Sequence, residues 1–204
     1  MQAPSAGRLD IWWTNLAATP AGRGSAQSRA VLGSILRSYG RDPCIDTDGA
    51  GKPFLAGADD LSFNLSHSER RLVVAVGDGA PVGVDCEAVR GFDDLMDVAR
   101  MTCSAVELDL LQSADDVSAV GIFHALWTRK EAVVKAIGVG MSFPLSELTV
   151  GTGARRALSC VDAPGYGKWW LRSIEAPEGF AAACACRRPF EVFPRHDSEE
   201  ARFR

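Results

Sequence analysis

Lysine is scarce in this chain: Lys52, Lys130, Lys135 and Lys168 stand against eighteen arginines. The 22 basic residues fall short of 26 acids, and the formal charge is −4. With neither an excess of positive charge nor a long basic stripe, a polypeptide built to neutralise phosphates along nucleic acid is excluded. No apolar run approaches the roughly 20 residues of a membrane span, and residues 1–10 lack the apolar stretch of a signal peptide. The expectation is a soluble cytoplasmic protein with no membrane or nucleic-acid partner. The six cysteines form no CxxC pair and show no metal-ligand spacing, so they are expected to be buried free thiols.

What is present is enough apolar residue, 47% of the chain, for a proper core in one ordinary domain or two small ones. Leu9 to Trp13 reads as a strand and Ser25 to Tyr39 as an amphipathic helix ending at Gly40. Leu61 to Leu65, Arg71 to Val76 and Pro81 to Glu87 read as strands, the last two joined as a hairpin around Asp78-Gly79. A helical, acidic stretch follows, with a long helix from about Val117 to Ile137. Strands return at Leu148–Val150, Ala157–Val161, Lys168–Glu175 and Phe180–Cys186. Helix followed by hairpin strands thus occurs twice, which predicts an α+β protein of two similar halves. The expected boundaries are 1–90 and 91–190, with 191–204 as a flexible tail.

Three segments carry chemistry. On the strand Pro81 to Glu87, alternation puts Val82, Val84 and Cys86 on one face and Gly83, Asp85 and Glu87 on the other. Two carboxylates on one side repel unless a cation or solvent separates them, and such pairs can hold Mg²⁺; a solvated strand end is the plain alternative. In the long helix, Lys130 and Glu131 interrupt the apolar stripe of Phe123, Leu126, Trp127, Val133, Val134 and Ile137, and Lys135 lies one turn after Glu131. An exposed ion pair at that spacing, worth about 0.3–0.5 kcal/mol, does not explain a stripe otherwise built for burial. The third segment, Phe63-Asn64-Leu65-Ser66-His67-Ser68, offers small polar groups and follows Gly51-Lys52-Pro53, where glycine permits close backbone approach. Together they favour an anionic ligand.

In order and spacing, Gly51-Lys52-Pro53, Phe63-Asn64-Leu65-Ser66-His67, Gly83-Val84-Asp85-Cys86-Glu87 and Trp127 to Lys135 resemble the motifs of the 4′-phosphopantetheinyl transferases of the surfactin-synthetase-activating type. Each motif alone is only suggestive; the ordered set is specific. The resemblance implies a pseudo-twofold α+β monomer, each half a helix packed on a small antiparallel sheet, with the active site in the cleft between them. It implies transfer of the 4′-phosphopantetheine arm of coenzyme A to a serine of an apo acyl or peptidyl carrier protein, releasing adenosine 3′,5′-bisphosphate. By matched position, Asp85, Glu87 and Glu131 would hold Mg²⁺, with Mn²⁺ as a substitute. Lys135 would contact the pyrophosphate. Arg23, Arg29, Gly51, Lys52, Asn64, Ser66, His67 and Lys130 would line the coenzyme A site, and Glu107 matches the acid credited as base in some members. Two other functions share the ligand: a coenzyme A sensor or scaffold without turnover, and a Mg²⁺-dependent hydrolase of the coenzyme A pyrophosphate.

Overall fold

A computed structural model describes residues 1–17, 24–49, 51–57, 59–151 and 157–196. The chain is a mixed α+β protein in which two four-stranded sheets lie back to back, each covered by a long helix. The first sheet contains β1 (Arg8–Asn15), β4 (Ser62–Ser68), β5 (Arg71–Gly77) and β10 (Glu191–His196), in the order β10-β1-β5-β4. The second contains β6 (Val82–Ala88), β7 (Ser159–Ala163), β8 (Gly167–Ser173) and β9 (Phe180–Cys186), in the order β6-β9-β8-β7. A two-stranded ribbon, β2 (Ile45–Thr47) with β3 (Pro53–Leu55), stands apart.

The layering follows from the residue pattern. Leu72 to Val76 of β5 are all fully buried, as befits a strand with layers on both faces. Leu72, Val74 and Val76 pack beneath Leu32, Ile35 and Leu36 of α1 (Gly24–Ser38). Val73 and Ala75 turn the other way, against Val82, Val84 and Cys86 of β6 and Ala182 and Cys184 of β9. The outer face of the second sheet, including Leu171, Ala183 and Ala185, is covered by α4 (Asp116–Ile137) together with α2 (Leu95–Thr102) and α3 (Ala105–Ser113). Two caps define α4: the Asp115 side chain accepts from the Ser118 amide at 2.9 Å, and Gly138 ends the helix at φ 88°.

The hairpin expected between β5 and β6 does not form. Both edges of β5 are taken, by β1 and by β4, so the next strand has no pairing edge and crosses to the second sheet. The turn that redirects it needs glycine twice over: Gly79 has φ +88°, and a Cβ there would lie 2.2 Å from the Asp59 carbonyl oxygen. β6, which precedes the expected boundary near residue 90, pairs with β9 in the sheet of the later chain. Of the expected tail 191–204, residues 191–196 form a strand and residues 197–204 lie outside the described residues. Glu191–His196 runs parallel to β1, and Arg195 reaches Asp10 at 3.1 Å. That Asp10 carboxylate, 1% exposed, also accepts from Arg8 at 2.8 Å and from the Tyr39 hydroxyl at 2.7 Å, which ties β10 to β1 and to the residue that follows α1. Leu148–Val150 is not a strand either. The six thiols are all free, as expected, although Cys44 and Cys160 are exposed.

Among the described residues, no helix is long and apolar enough to cross a membrane. α4 and β6 approach more closely than side chains would allow at one point. A Cβ on Gly83 would fall 2.0 Å from the Ala132 carbonyl oxygen and 2.4 Å from the Ala136 nitrogen. Gly83→Ala is accordingly expected to lower unfolding free energy by about 3 kcal/mol or more, since rigid helix backbone must move. Gly121→Ala on the same helix meets open space and should be neutral or stabilising by up to ~1 kcal/mol. Denaturant midpoints of the two variants check both.

Candidate functional site

The close approach at Gly83 puts the last turns of α4 directly over β6. Asp85, two residues along the same face, is 2% exposed and lies beside Lys135. The Lys135 Nζ donates to Asp85 Oδ1 at 2.6 Å and to Ser66 Oγ at 2.9 Å, and Ser66 Oγ donates to the same Oδ1 at 2.8 Å. Asp85 Oδ2 is buried with no hydrogen-bond partner. Glu131, one turn before Lys135, is half-buried; burial pushes its carboxyl up, and the negative charges of Asp85 and Glu87 add to the effect while Lys135 opposes it. Glu87 is also pushed up, chiefly by burial, against a hydrogen bond from Ser68 Oγ to its Oε2 at 2.9 Å.

The first sheet and the ribbon complete this junction. On β4, Asn64, Ser66 and Ser68 share the face turned to β6, and each bonds to it: Asn64 Oδ1 accepts the Val84 N–H at 2.9 Å, and Ser68 Oγ accepts the Ala88 N–H at 3.1 Å. Gly51, at φ +84°, shapes the turn of the ribbon, and Lys52 extends from it across the end of α4. Its Nζ donates to the Ala136 carbonyl at 3.0 Å and the Val82 carbonyl at 3.3 Å, and burial lowers its affinity for the proton. An open cleft of about 330 Å³ beside Lys52 is lined by Phe54, Leu61, Phe63 and Pro81 among others.

The fold thus gathers Lys52, Ser66, Asp85, Glu87, Glu131 and Lys135 at one junction. Among the remaining expected site residues, Gly51 and Asn64 stand at the junction but serve its backbone. His67 is exposed, on the opposite face of β4 from Ser66, and Arg29 is exposed on α1. Asn64 is spent on the β6 backbone. Arg23 lies outside the described residues.

The geometry speaks against the expected roles of Glu107 and Lys130. Both side chains are 1% exposed and pair at 2.7 Å. The three protons of the Lys130 ammonium are matched by Glu107, the Leu145 carbonyl at 2.8 Å and the Leu148 carbonyl, leaving none for a phosphate. Glu107 Oε2 also accepts the Ser104 N–H at the start of α3, and Oε1 accepts the Val150 N–H, both at 2.8 Å. Burial alone would push this carboxyl up, but the Lys130 bond and the two amides outweigh it and hold the group below the usual range. Such a carboxylate is a brace joining α3, α4 and residue 150. The lysine that breaks the apolar stripe is therefore buried, with its charge met from outside the helix.

Ser68 was not among the expected site residues, though it was legible: Asn64, Ser66 and Ser68 alternate at the period of a strand. Among the described residues no three His, Cys, Asp or Glu side chains already stand at metal-ligating positions. The donors nonetheless suit a hard divalent cation: two half-buried carboxylates, both raised by burial and by the charge of Asp85, beside a buried carboxylate oxygen with no partner.

Residues 81–185, from β6 through β9, match the family model of the 4′-phosphopantetheinyl transferase superfamily. The chain belongs to that superfamily. Its similar relatives include a 4′-phosphopantetheinyl transferase of Bacillus subtilis, 30% identical over 170 residues that span 79% of this chain and 75% of the relative. The transferase Sfp of Bacillus subtilis strain 168 is 27% identical with the same coverage. The transferase HetI of a Nostoc species is 33% identical over 77% of this chain and 68% of its own. The superfamily match takes in Asp85, Glu87, Glu131 and Lys135, while Lys52 and Ser66 lie before it.

Two outcomes test the electrostatics. Glu107→Ala strands a buried ammonium and is expected to cost about 3–5 kcal/mol of stability by chemical denaturation, whereas a base without a structural role would lose activity at an unchanged midpoint. The raised Glu131 carboxyl means that its ionised form is penalised in the fold, so stability is lost above its folded pKa and recovered as pH falls through it. In metal-free protein, Glu131→Gln should melt higher than wild type at neutral pH, and the gap should narrow on acidification.

Proposed function

We propose that this protein transfers the 4′-phosphopantetheine arm of coenzyme A to a serine hydroxyl of an apo acyl or peptidyl carrier protein, releasing adenosine 3′,5′-bisphosphate. The observation that carries the reading is the junction of β4, β6 and α4. It brings Ser66, Asp85 and Lys135 into mutual hydrogen-bonding contact in a chain of the transferase superfamily. On this reading, the two sheets with their covering helices form two similar halves related by a pseudo-twofold, and coenzyme A lies between them. The protein would work as a cytoplasmic monomer.

Each group has a task that the chemistry demands. The attacked phosphorus already carries negative oxygens and the leaving group is a nucleoside phosphate, so the protein must supply positioning and positive charge more than covalent chemistry. Lys135 is an ammonium on the rim, its side chain 29% exposed, and on this reading exchanges Asp85 and Ser66 for a pyrophosphate oxygen. Lys52 offers a second ammonium at the end of α4, with Gly51 letting the ribbon backbone come close. Asp85, Glu87 and Glu131 would hold Mg²⁺, which when bound would neutralise charge on the leaving phosphate. His67 and Arg29, exposed beyond the junction, are available to the outer phosphate of coenzyme A. With Glu107 committed to Lys130, proton removal from the acceptor serine falls to a carboxylate of the junction or to water held by one.

Intact-mass spectrometry of several apo carriers incubated with coenzyme A, Mg²⁺ and the protein is expected to show the phosphopantetheine adduct. Asp85→Ala should reduce the rate at least ~10²-fold, the scale set by loss of an electrostatic group at a phosphoryl centre. Coenzyme A consumed without any adduct would replace transfer by hydrolysis. Coenzyme A bound but intact, with no adduct on any carrier, would reduce the protein to a sensor or scaffold.

A further inference from the structure

We propose that Ser68 is a positioning residue: it orients Glu87 for cation binding through a hydroxyl whose single proton is committed to that carboxylate. The inference rests on the cation-site reading of Asp85, Glu87 and Glu131 given above and adds a group to it. A serine hydroxyl has one proton to give and two lone pairs. At Ser68 Oγ the Ala88 N–H points in at 3.1 Å and occupies a lone pair. Glu87 Oε2 lies 2.9 Å away, and an ionised carboxylate only accepts, so the proton of Ser68 must point at Glu87.

Both partners of this hydroxyl are neighbours on β6, so Ser68 fixes the Glu87 side chain relative to its own backbone. Glu87 needs such a hold. It stands at the end of β6, partly exposed, at the mouth of an apolar recess of about 240 Å³ formed with Phe92, Val98, Phe123, His124 and Trp127. Those walls are mostly apolar; His124, the one ionisable group among them, directs its Nδ1 at the Val120 carbonyl, 2.9 Å away, and acts on Glu87 through its charge. The same device operates one strand repeat earlier, where Ser66 donates to Asp85 Oδ1. Two hydroxyls on the face of β4 turned to β6 thus hold one oxygen each of the two carboxylates, leaving Asp85 Oδ2 and Glu87 Oε1 as the oxygens that no serine hydroxyl holds. Groups that hold ligating side chains in this way tune affinity about as strongly as some ligands do.

Mn²⁺ binding to the full chain without coenzyme A, followed by electron paramagnetic resonance, tests the inference independently of turnover. Ser68→Ala should weaken Mn²⁺ binding by roughly 10-fold, the scale of a group supporting a metal ligand. Ser68→Thr, which keeps the hydroxyl on a strand, should bind close to wild type. In the Glu87→Gln background, Ser68→Ala should add nothing further, because the group through which it acts has lost its charge. Wild-type affinity in Ser68→Ala, equal weakening by Ala and Thr, or an additive effect in the Glu87→Gln background would each overturn the role of Ser68 and leave the proposed transferase reading standing. A wild-type protein that binds no Mn²⁺ would instead remove the cation site on which both rest. Circular dichroism melts of each variant confirm that folded protein is being compared.

Discussion

Two sheet edges meet in this molecule without pairing. β4 ends the first sheet and β6 ends the second, and an edge strand presents backbone groups that must find partners. Here side chains supply them. Asn64 and Ser68 take the outward N–H groups of Val84 and Ala88, while Ser66 and Ser68 donate to the carboxylates of Asp85 and Glu87. A continuous backbone ladder would have merged the sheets and closed the space between them. The side-chain seam keeps the two edges apart by a hydroxyl or an amide, and into that gap come Lys135 from α4 and, at its end, Lys52 from the ribbon. The candidate site exists because this joint is polar.

The rest of the structure sets the tolerance of the joint. The interior between the sheets is apolar at its centre, with Val73 and Ala75 facing Val84, Cys86 and Cys184, and becomes polar only at β4. Gly83 lets α4 settle onto β6 at backbone contact, which fixes how far Lys135 and Glu131 lie from Asp85. On the far side of α4, the Lys130–Glu107 pair anchors the helix to α3 and residue 150, and Arg129 adds bonds to the Val150 carbonyl at 2.9 Å and Ser159 at 3.0 Å. Buried ion pairs are weak evidence for net stability but strong constraints on arrangement, since either partner left alone is costly. Neighbouring residues 130 and 131 thus divide the work: one locks the helix, the other faces the junction.

Lysine scarcity takes on a sharper meaning in this frame. Of four lysines, Lys52 and Lys135 enter the junction as compact ammonium groups, and Lys130 is enclosed by one carboxylate and two carbonyls. A planar guanidinium, with five donors in a fixed fork, would overfill the Lys130 enclosure and could not bridge Ser66 and Asp85 as a point charge does. Arginine serves at the periphery, as at Arg188 on Asp78 and Arg195 on Asp10, and in the interior at Arg129, which is 5% exposed.

Local pattern was enough to read most elements. The helix ending in Ile137 and the strand Phe180–Cys186 were legible because caps, apolar period and turn residues all agree there. The ordered motifs marked Lys52, Ser66, Asp85, Glu87, Glu131 and Lys135, and the fold brings these together. Tertiary structure alone decided the partners. Strand signals around Asp78-Gly79 fit a hairpin, but a sequence window does not reveal that β5 already has two neighbours. The charged segment 191–196 reads as tail because its pairing partner, β1, lies some 180 residues away. Glu107 and Lys130 read as chemistry because both are ionisable and motif-borne, and only packing shows that they spend their charges on each other. Residue type and periodicity determine which face a side chain takes; what stands opposite that face depends on contacts between distant segments, which local pattern does not encode.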